Sequence, residues 1–300
     1  VTTTWRAARA EVTRRLGDAG FEHPATEARF MTEAASGYDA TEWLDAADRQ
    51  PPARAEARLF DMLERRLRGE PLQYALGSWS FRGIDLMVDR RVLIPRPETE
   101  AVVEVALEEA QRTGLRRART TGAAFAQSPD AAVVDLGTGS GAIALALEAE
   151  LPDVEVWATD AHDDALTVAR ANVAGCAASR VRLALGSWFE PLPSSLHGAL
   201  SLVVSNPPYV SEAEFHELPD EVAAYEPRHA LVAGPTGREA VELLLDRALG
   251  WLAPGAAFVC EIAPHQADAL AARAGSIGYI ESFVRDDLAG RPRVLVARTG

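Results

Sequence analysis

Three hundred residues with 48% apolar content suffice for one large or two modest domains around a real core. Thirty basic against 44 acidic side chains give a net charge of −14, which argues against a large nucleic-acid footprint, since phosphates demand clustered Lys and Arg. No apolar run reaches membrane-spanning length and Val1 to Arg6 carries no signal-peptide core, so the chain is expected to be cytoplasmic and off the membrane; a monomer is expected, although nothing in the sequence sets the oligomeric state.

Residues 1–75 carry helical periodicity without strand alternation, over 5–16, 24–35, 40–47 and 52–67, broken at Gly20, Gly37 and Pro51-Pro52. They read as a small helical bundle, with Arg65-Arg66-Leu67-Arg68 as a solvated helix end. Residues 76–100 alternate apolar and polar around Arg82-Gly83 and Asp89-Arg90, a β-hairpin linker that runs into Pro95 and Pro97. From 101 to 300 strands alternate with helices, the pattern of a doubly wound α/β sheet. Residues 112–130 form a polar, Ala/Gly/Thr-rich insertion expected as a surface loop. The last two strands, 279–285 and 293–298, are separated by too short a connection for a crossover and must pair antiparallel. Cys176 falls near a helix end and Cys260 in a buried-strand pattern, so neither a disulfide framework nor a zinc site is expected.

Within the sheet region, residues 131–145 read as buried strand, glycine turn and helix, with Asp135 closing the strand and Gly137, Thr138, Gly139, Ser140 and Gly141 forming the turn. The G-x-G-x-G spacing differs from the G-x-G-x-x-G of dinucleotide folds. Asp135 would repel a diphosphate and attract an ammonium, which favours S-adenosylmethionine over NAD. Asp160 closes the next strand, where an acid can hold both ribose hydroxyls, and the pair Trp188-Phe189 after a third strand is placed to cover an adenine ring. His162-Asp163-Asp164 reads as solvated helix-start acids; no metal site is expected.

The apolar run 200–205 then stops in Asn206-Pro207-Pro208-Tyr209. Each proline fixes φ and lacks an N–H, and Asn206 is pushed out of the helical region, so the chain leaves the strand stiff and extended. The Asn206 amide and the Pro207 carbonyl are two acceptors side by side, suited to a planar NH2 group of a glutamine side chain or a base, with Tyr209 offering an aromatic face. Each feature has a bland reading as well: a structural βα turn, a core Trp, a proline-terminated strand. Their order in one chain is what points to a site.

These residues, with Gly69 to Tyr74, Gly77, Leu93-Ile94-Pro95-Arg96-Pro97-Glu98-Thr99-Glu100, Tyr225-Glu226-Pro227, Glu261-Ile262 and Arg293, resemble the class I methyltransferases. Within them the chain resembles the HemK/PrmC group of protein-(glutamine-N5) methyltransferases that modify peptide chain release factors. The resemblance implies S-adenosylmethionine held by Asp135, Gly137 to Gly141, Asp160, Trp188 and Asn206. It implies catalysis by Asn206, Pro207 and Tyr209, and substrate binding by these and Pro208. It also implies an N-terminal substrate-recognition domain at 1–75, a linker at 76–100, a methyltransferase domain at 101–300, and the glutamine of a Gly-Gly-Gln loop as target. Two departures stand out. Ser187 replaces the family's acid before the aromatic, and Ala230 to Gly237 lacks one of the family's glycines and, at Thr236, its Asp. A paralogue with another glutamine-bearing target, a nucleic-acid amino-methyltransferase and a non-catalytic adaptor remain alternatives, since Asn-Pro-Pro-Tyr alone also fits enzymes acting on adenine N6 or guanine N2.

Overall fold

The computed structural model describes residues 4–115 and 131–300, so most of the loop expected at 112–130 lies outside the described residues. The described chain divides into two compact units, one running to Ser78 and taking in Pro219–Tyr225, the other made of Trp79–Leu218 and Glu226–Gly300.

In the first unit, helices Trp5–Asp18, Pro24–Ser36, Ala40–Ala46 and Ala53–Leu67 follow the expected periodicity to within two residues at their ends. Thr4 caps the first helix by accepting from the Ala7 N–H, and Asp39 and Glu42 form a capping box on the third. Trp5, Ala8, Val12 and Leu16 line one face of the first helix and are buried, as are Leu59, Met62 and Leu63 of the fourth. The basic end of that helix is not solvated as expected. Arg66 is buried, bonding Glu27 through two nitrogens at 2.8 and 3.1 Å and Glu221 at 2.7 Å, while Arg65 grips Glu70 and the Tyr74 and Ala75 carbonyls. Charges this deep need partners, and both arginines have them. Glu221 lies in a short helix, Asp220–Tyr225, which the sequence pattern did not reveal; a second short helix, Leu72–Leu76, was also missed.

The second unit begins with a hairpin of β1 (Ser78–Phe81) and β2 (Ile84–Met87) and a helix, Thr99–Arg112. Its sheet follows: β3 (Ala132–Leu136), β4 (Glu155–Asp160), β5 (Val181–Leu185) and β6 (Leu200–Ser205). After a small pair, β7 (Val210–Ser211) and β8 (Val232–Gly234), come β9 (Leu252–Glu261), β10 (Glu281–Asp286) and β11 (Pro292–Arg298). The order across the sheet is β10-β11-β9-β6-β3-β4-β5, parallel except that β11 runs antiparallel to both neighbours. The antiparallel closing pair is therefore present, and the doubly wound α/β fold is that of a class I methyltransferase. Side chains alternate between two covered faces: Val294 and Val296 pack with helix Thr99–Arg112, Leu295 and Ala297 with helices Glu239–Ala248 and Ala267–Ile277. No helix among the described residues is long and apolar enough to cross a membrane.

The topology places the site. From β3 the chain moves outward through β4 to β5, then returns to the other side of β3 as β6. That reversal opens a crevice at the carboxyl ends of β3, β4 and β6. The register sharpens this: Leu136 pairs with Thr159 on one side and Ser205 on the other, and Ser205 pairs with Cys260. Gly137, Asp160, Asn206 and Glu261, each the next residue, thus emerge at one level of the sheet edge.

Candidate active site

A cavity open to solvent sits at that edge. Gly137, Thr138, Gly139, Ser140, Asp160, Trp188, Asn206, Pro207 and Pro208 line it, together with Arg91, Val92, Leu93, Pro95 and Thr99. Of the residues expected in the site, Asp135, Gly141 and Tyr209 are not on its wall.

The glycine turn is held from β4. Gly137 and Thr138 both donate to the Thr159 carbonyl at 2.9 Å, and Gly139 donates to Asp160 Oδ2 at 3.0 Å. His162 N–H donates to Asp160 Oδ1 at 2.9 Å and its ring Nδ1 stands 3.5 Å from the same oxygen, so Oδ2, with its one backbone donor, is the oxygen that keeps a further lone pair for a ligand. Gly137 has φ +73°, and a Cβ there would stand 3.1 Å from the Trp188 ring. Trp188 itself adopts φ +52°, rare for a bulky residue, and this turn is what brings its indole over the glycine loop. The expected aromatic pair is split. Phe189 turns into the core and stacks on Trp251 at 5.5 Å, leaving Trp188 alone on the cavity. Ser187 does not line the cavity.

Asp135 is fully buried beneath the loop. Its Oδ2 accepts from Thr138 Oγ1 at 2.6 Å and from the Ala144 N–H at 3.1 Å, whereas its Oδ1 has no partner among the described residues. Burial pushes its pKa up to about 7, with the charge of Asp160 adding to the rise and the two hydrogen bonds opposing it. It braces the turn from behind and does not present a carboxylate on the cavity wall.

The Asn206 end of the cavity is tied to three elements. Asn206 Nδ2 donates to Thr99 Oγ1 at 3.0 Å, Thr99 Oγ1 donates to Glu261 Oε2 at 2.7 Å, and the Tyr209 hydroxyl donates to Glu261 Oε1 at 3.1 Å. Asn206 Oδ1 is buried with no partner among the described residues. Burial raises the Glu261 pKa, opposed by Thr99, Arg293 and Tyr209; burial and then Glu261 raise that of the Tyr209 phenol. The Tyr209 carbonyl is pinned by Gln266 Nε2 at 3.0 Å, and a Cβ on Gly237 would meet it at 2.6 Å, so only glycine fits there. Thr236 bonds Glu239 through both N–H and hydroxyl.

Several contributors received no role in the site from the sequence, although Thr99 and Glu261 lie in segments that carry the family resemblance. Thr99, in a run of Pro, Glu and Thr before an apolar helix, carries the signal of a cap, yet its hydroxyl reaches Glu261. Glu261 had a usable signal, an acid closing an apolar strand as in Asp135 and Asp160. His162 and His229 stack at 3.5 Å on the cavity wall, and burial, then the neighbouring His162, holds His229 below the usual histidine value. Of the segment Leu93 to Glu100, Leu93, Pro95 and Thr99 line the cavity, whereas Arg96 pairs with buried Glu226 and Glu98 with Arg291.

The comparisons agree along the whole chain. A PrmC N-terminal domain model matches residues 7–77 and a methyltransferase small domain model matches 123–224. The release factor glutamine methyltransferase of Deinococcus radiodurans is 38% identical over 288 residues, 96% of either chain. That of Caulobacter vibrioides is 38% identical over 97% of this chain and 94% of its own, and that of Moorella thermoacetica 37% over 98% of each. Among solved structures, the hMettl16 catalytic domain in complex with MAT2A 3'UTR hairpin 1 aligns with TM-score 0.55, covering 90% of both chains. At 16% identity that likeness speaks for the fold alone.

Proposed function

The chain belongs to the release factor glutamine methyltransferase family, and from that premise we propose that it methylates the side-chain amide nitrogen of the glutamine in the Gly-Gly-Gln loop of peptide chain release factors, tuning translation termination. It is an S-adenosylmethionine-dependent methyltransferase acting on protein. The cavity suits that cofactor: Asp160 Oδ2 offers a free lone pair to the ribose hydroxyls, Trp188 an indole face for adenine, and the turn from Gly137 to Gly141 a backbone that a ligand can approach closely. Asp135 supports that turn from below through Thr138 and Ala144.

When bound, S-adenosylmethionine supplies an electrophilic methyl group. A glutamine amide nitrogen is a poor nucleophile because its lone pair is delocalised into the carbonyl. Asn206 Oδ1 and the Pro207 carbonyl accept its two N–H bonds, aim the nitrogen, and stabilise the positive charge that grows on it until one of those protons is lost to water in the open cavity. Pro207 and Pro208 keep this segment stiff, and Tyr209 fastens it to Glu261. The carrying observation is Asn206 Oδ1, a buried acceptor at the cavity whose own partner is not supplied by the described residues.

A glutamine amide is small and common, so this clamp cannot select one protein; contacts remote from the nitrogen must do so. The helical unit is the natural supplier. The test is incubation with intact release factors and labelled cofactor, followed by peptide mapping. One methyl on the Gly-Gly-Gln glutamine supports the reading, with faster turnover on the folded factor than on a short peptide. Label elsewhere, or equal rates on peptide and factor, refutes the target or the recognition step respectively.

A further inference from the structure

The clamp needs more than an asparagine at position 206. It needs the oxygen end of that side chain, and not the nitrogen end, facing the substrate, and an amide is close to symmetric in shape. The groups behind it remove the ambiguity. Glu261 is 1% exposed, and each of its carboxylate oxygens faces one hydroxyl, Thr99 Oγ1 at 2.7 Å and Tyr209 at 3.1 Å. An ionised carboxylate only accepts, so the single O–H of Thr99 is committed to it. Thr99 Oγ1 has only lone pairs left, and whatever lies on its other side must donate. That neighbour, 3.0 Å away, is Asn206. Its NH2 is drawn to Thr99 and its oxygen is turned out, buried and still unpaired among the described residues. The reversed amide would set two acceptors against each other at Thr99 and present N–H groups to the N–H groups of the substrate.

We propose that Glu261 and Thr99 are positioning residues for methyl transfer, a chain of fixed hydrogen-bond polarity that locks Asn206 with its oxygen toward the substrate amide. This rests on the amide-clamp reading above. Glu261 touches neither substrate nor cofactor; it acts by leaving Thr99 no proton to offer Asn206. Glu261→Gln keeps size and shape but introduces an NH2 that can donate to Thr99 Oγ1, freeing the threonine proton to point at Asn206 and invite the wrong amide orientation. Thr99→Val removes the link altogether, whereas Thr99→Ser retains it.

The experiment measures kcat and KM on an intact release factor and, by calorimetry, cofactor affinity, for Glu261→Gln, Thr99→Val, Thr99→Ser, Asn206→Ala and the double variant Glu261→Gln/Asn206→Ala. Loss of a hydrogen bond to a charged group sets the expected scale: Glu261→Gln and Thr99→Val should each lose about 10- to 100-fold in kcat while S-adenosylmethionine affinity changes little. Thr99→Ser should recover most of the rate lost in Thr99→Val. If Glu261 works through Asn206, adding Glu261→Gln to Asn206→Ala should cost little more. Wild-type kcat in Glu261→Gln, losses that multiply in the double variant, or a serine no better than valine would each overturn the proposal. Failure of the clamp reading looks different: Asn206→Ala would then keep the wild-type rate, or the wild-type protein would leave the glutamine unmodified. Should Glu261→Gln fail to bind cofactor because it is unfolded, the valine and serine pair decides alone.

Discussion

Asp135→Asn should flatten the pH dependence of stability, and the size of the effect follows from where the carboxyl sits. In the unfolded chain this group titrates near 3.9. In the folded protein it is fully buried and titrates near 7. The folded state therefore binds the proton more tightly, and between those two values it carries more protons than the unfolded state. Stability from this group is complete below about pH 4 and declines as pH rises through 7. A separation of about three pH units at 1.36 kcal/mol each gives roughly 4 kcal/mol of lost stability once the group is fully ionised. Asparagine has no charge to desolvate. Its oxygen can still accept from Thr138 Oγ1 and the Ala144 N–H, while its NH2 takes the place of the unpartnered Oδ1. Burying that NH2 carries a cost that is the same at every pH, so it moves the whole curve and not its slope. Urea unfolding of both proteins at pH 5, 6, 7, 8 and 9, taken as a difference, cancels every other titrating group. The variant should gain on the wild type steadily from pH 5 to 7 and level off by pH 8. A difference constant across the series would mean that Asp135 does not titrate in this range and that its burial is not what the geometry implies.

Asn206→Ala should lower kcat by about two to three orders of magnitude, the scale of losing a preorganised charge-stabilising partner, with cofactor affinity largely retained in calorimetry; a near wild-type rate would remove the clamp. Asp160→Ala should weaken S-adenosylmethionine and leave the circular dichroism spectrum unchanged, since its two bonds go to loop backbone and not to the core; unaltered affinity would move the ribose site elsewhere. The Glu261 carboxyl is raised by burial, against Thr99, Arg293 and Tyr209 and helped by Glu98, so it should take up its proton at a higher pH than a free glutamate. Protonation turns one of its two hydroxyl contacts around, and kcat should fall as pH drops through that value, an acid limb absent from cofactor binding; a flat acid side of the profile would contradict it.

Much of the fold could be read from local pattern because the signals are local. Helical periodicity and the breaks at Gly20, Gly37 and Pro51-Pro52 mark the first four helices, and the short link after β10 forces the antiparallel end of the sheet. What escaped depends on partners far along the chain. Arg66 in a basic run gives no hint that Glu27 and Glu221 will bury it, and Asp220–Tyr225 is too short to show a period of its own. Phe189 and Trp188 are adjacent aromatics whose separation hangs on one left-handed backbone angle.

Asp135, Asp160 and Glu261 carry the same sequence signal, an acid at the end of an apolar strand, and have different fates. Register accounts for it. Asp135 pairs with Ala158, one residue short of the end of β3, so it lies two levels below Asp160 and faces the packed interior of the βα turn. Asp160 follows Thr159, the partner of Leu136, and at that level the sheet has opened into the crevice. Glu261 follows Cys260, the partner of Ser205, and so stands beside Asn206 at the same height, but Thr99 and Tyr209 cover it and make it a support. A single sequence supplies the acids and the strand ends. Which acid meets a ligand, which braces a turn and which orients a neighbour is set by one or two residues of offset between strands that lie far apart in the chain, and only the assembled sheet fixes that offset.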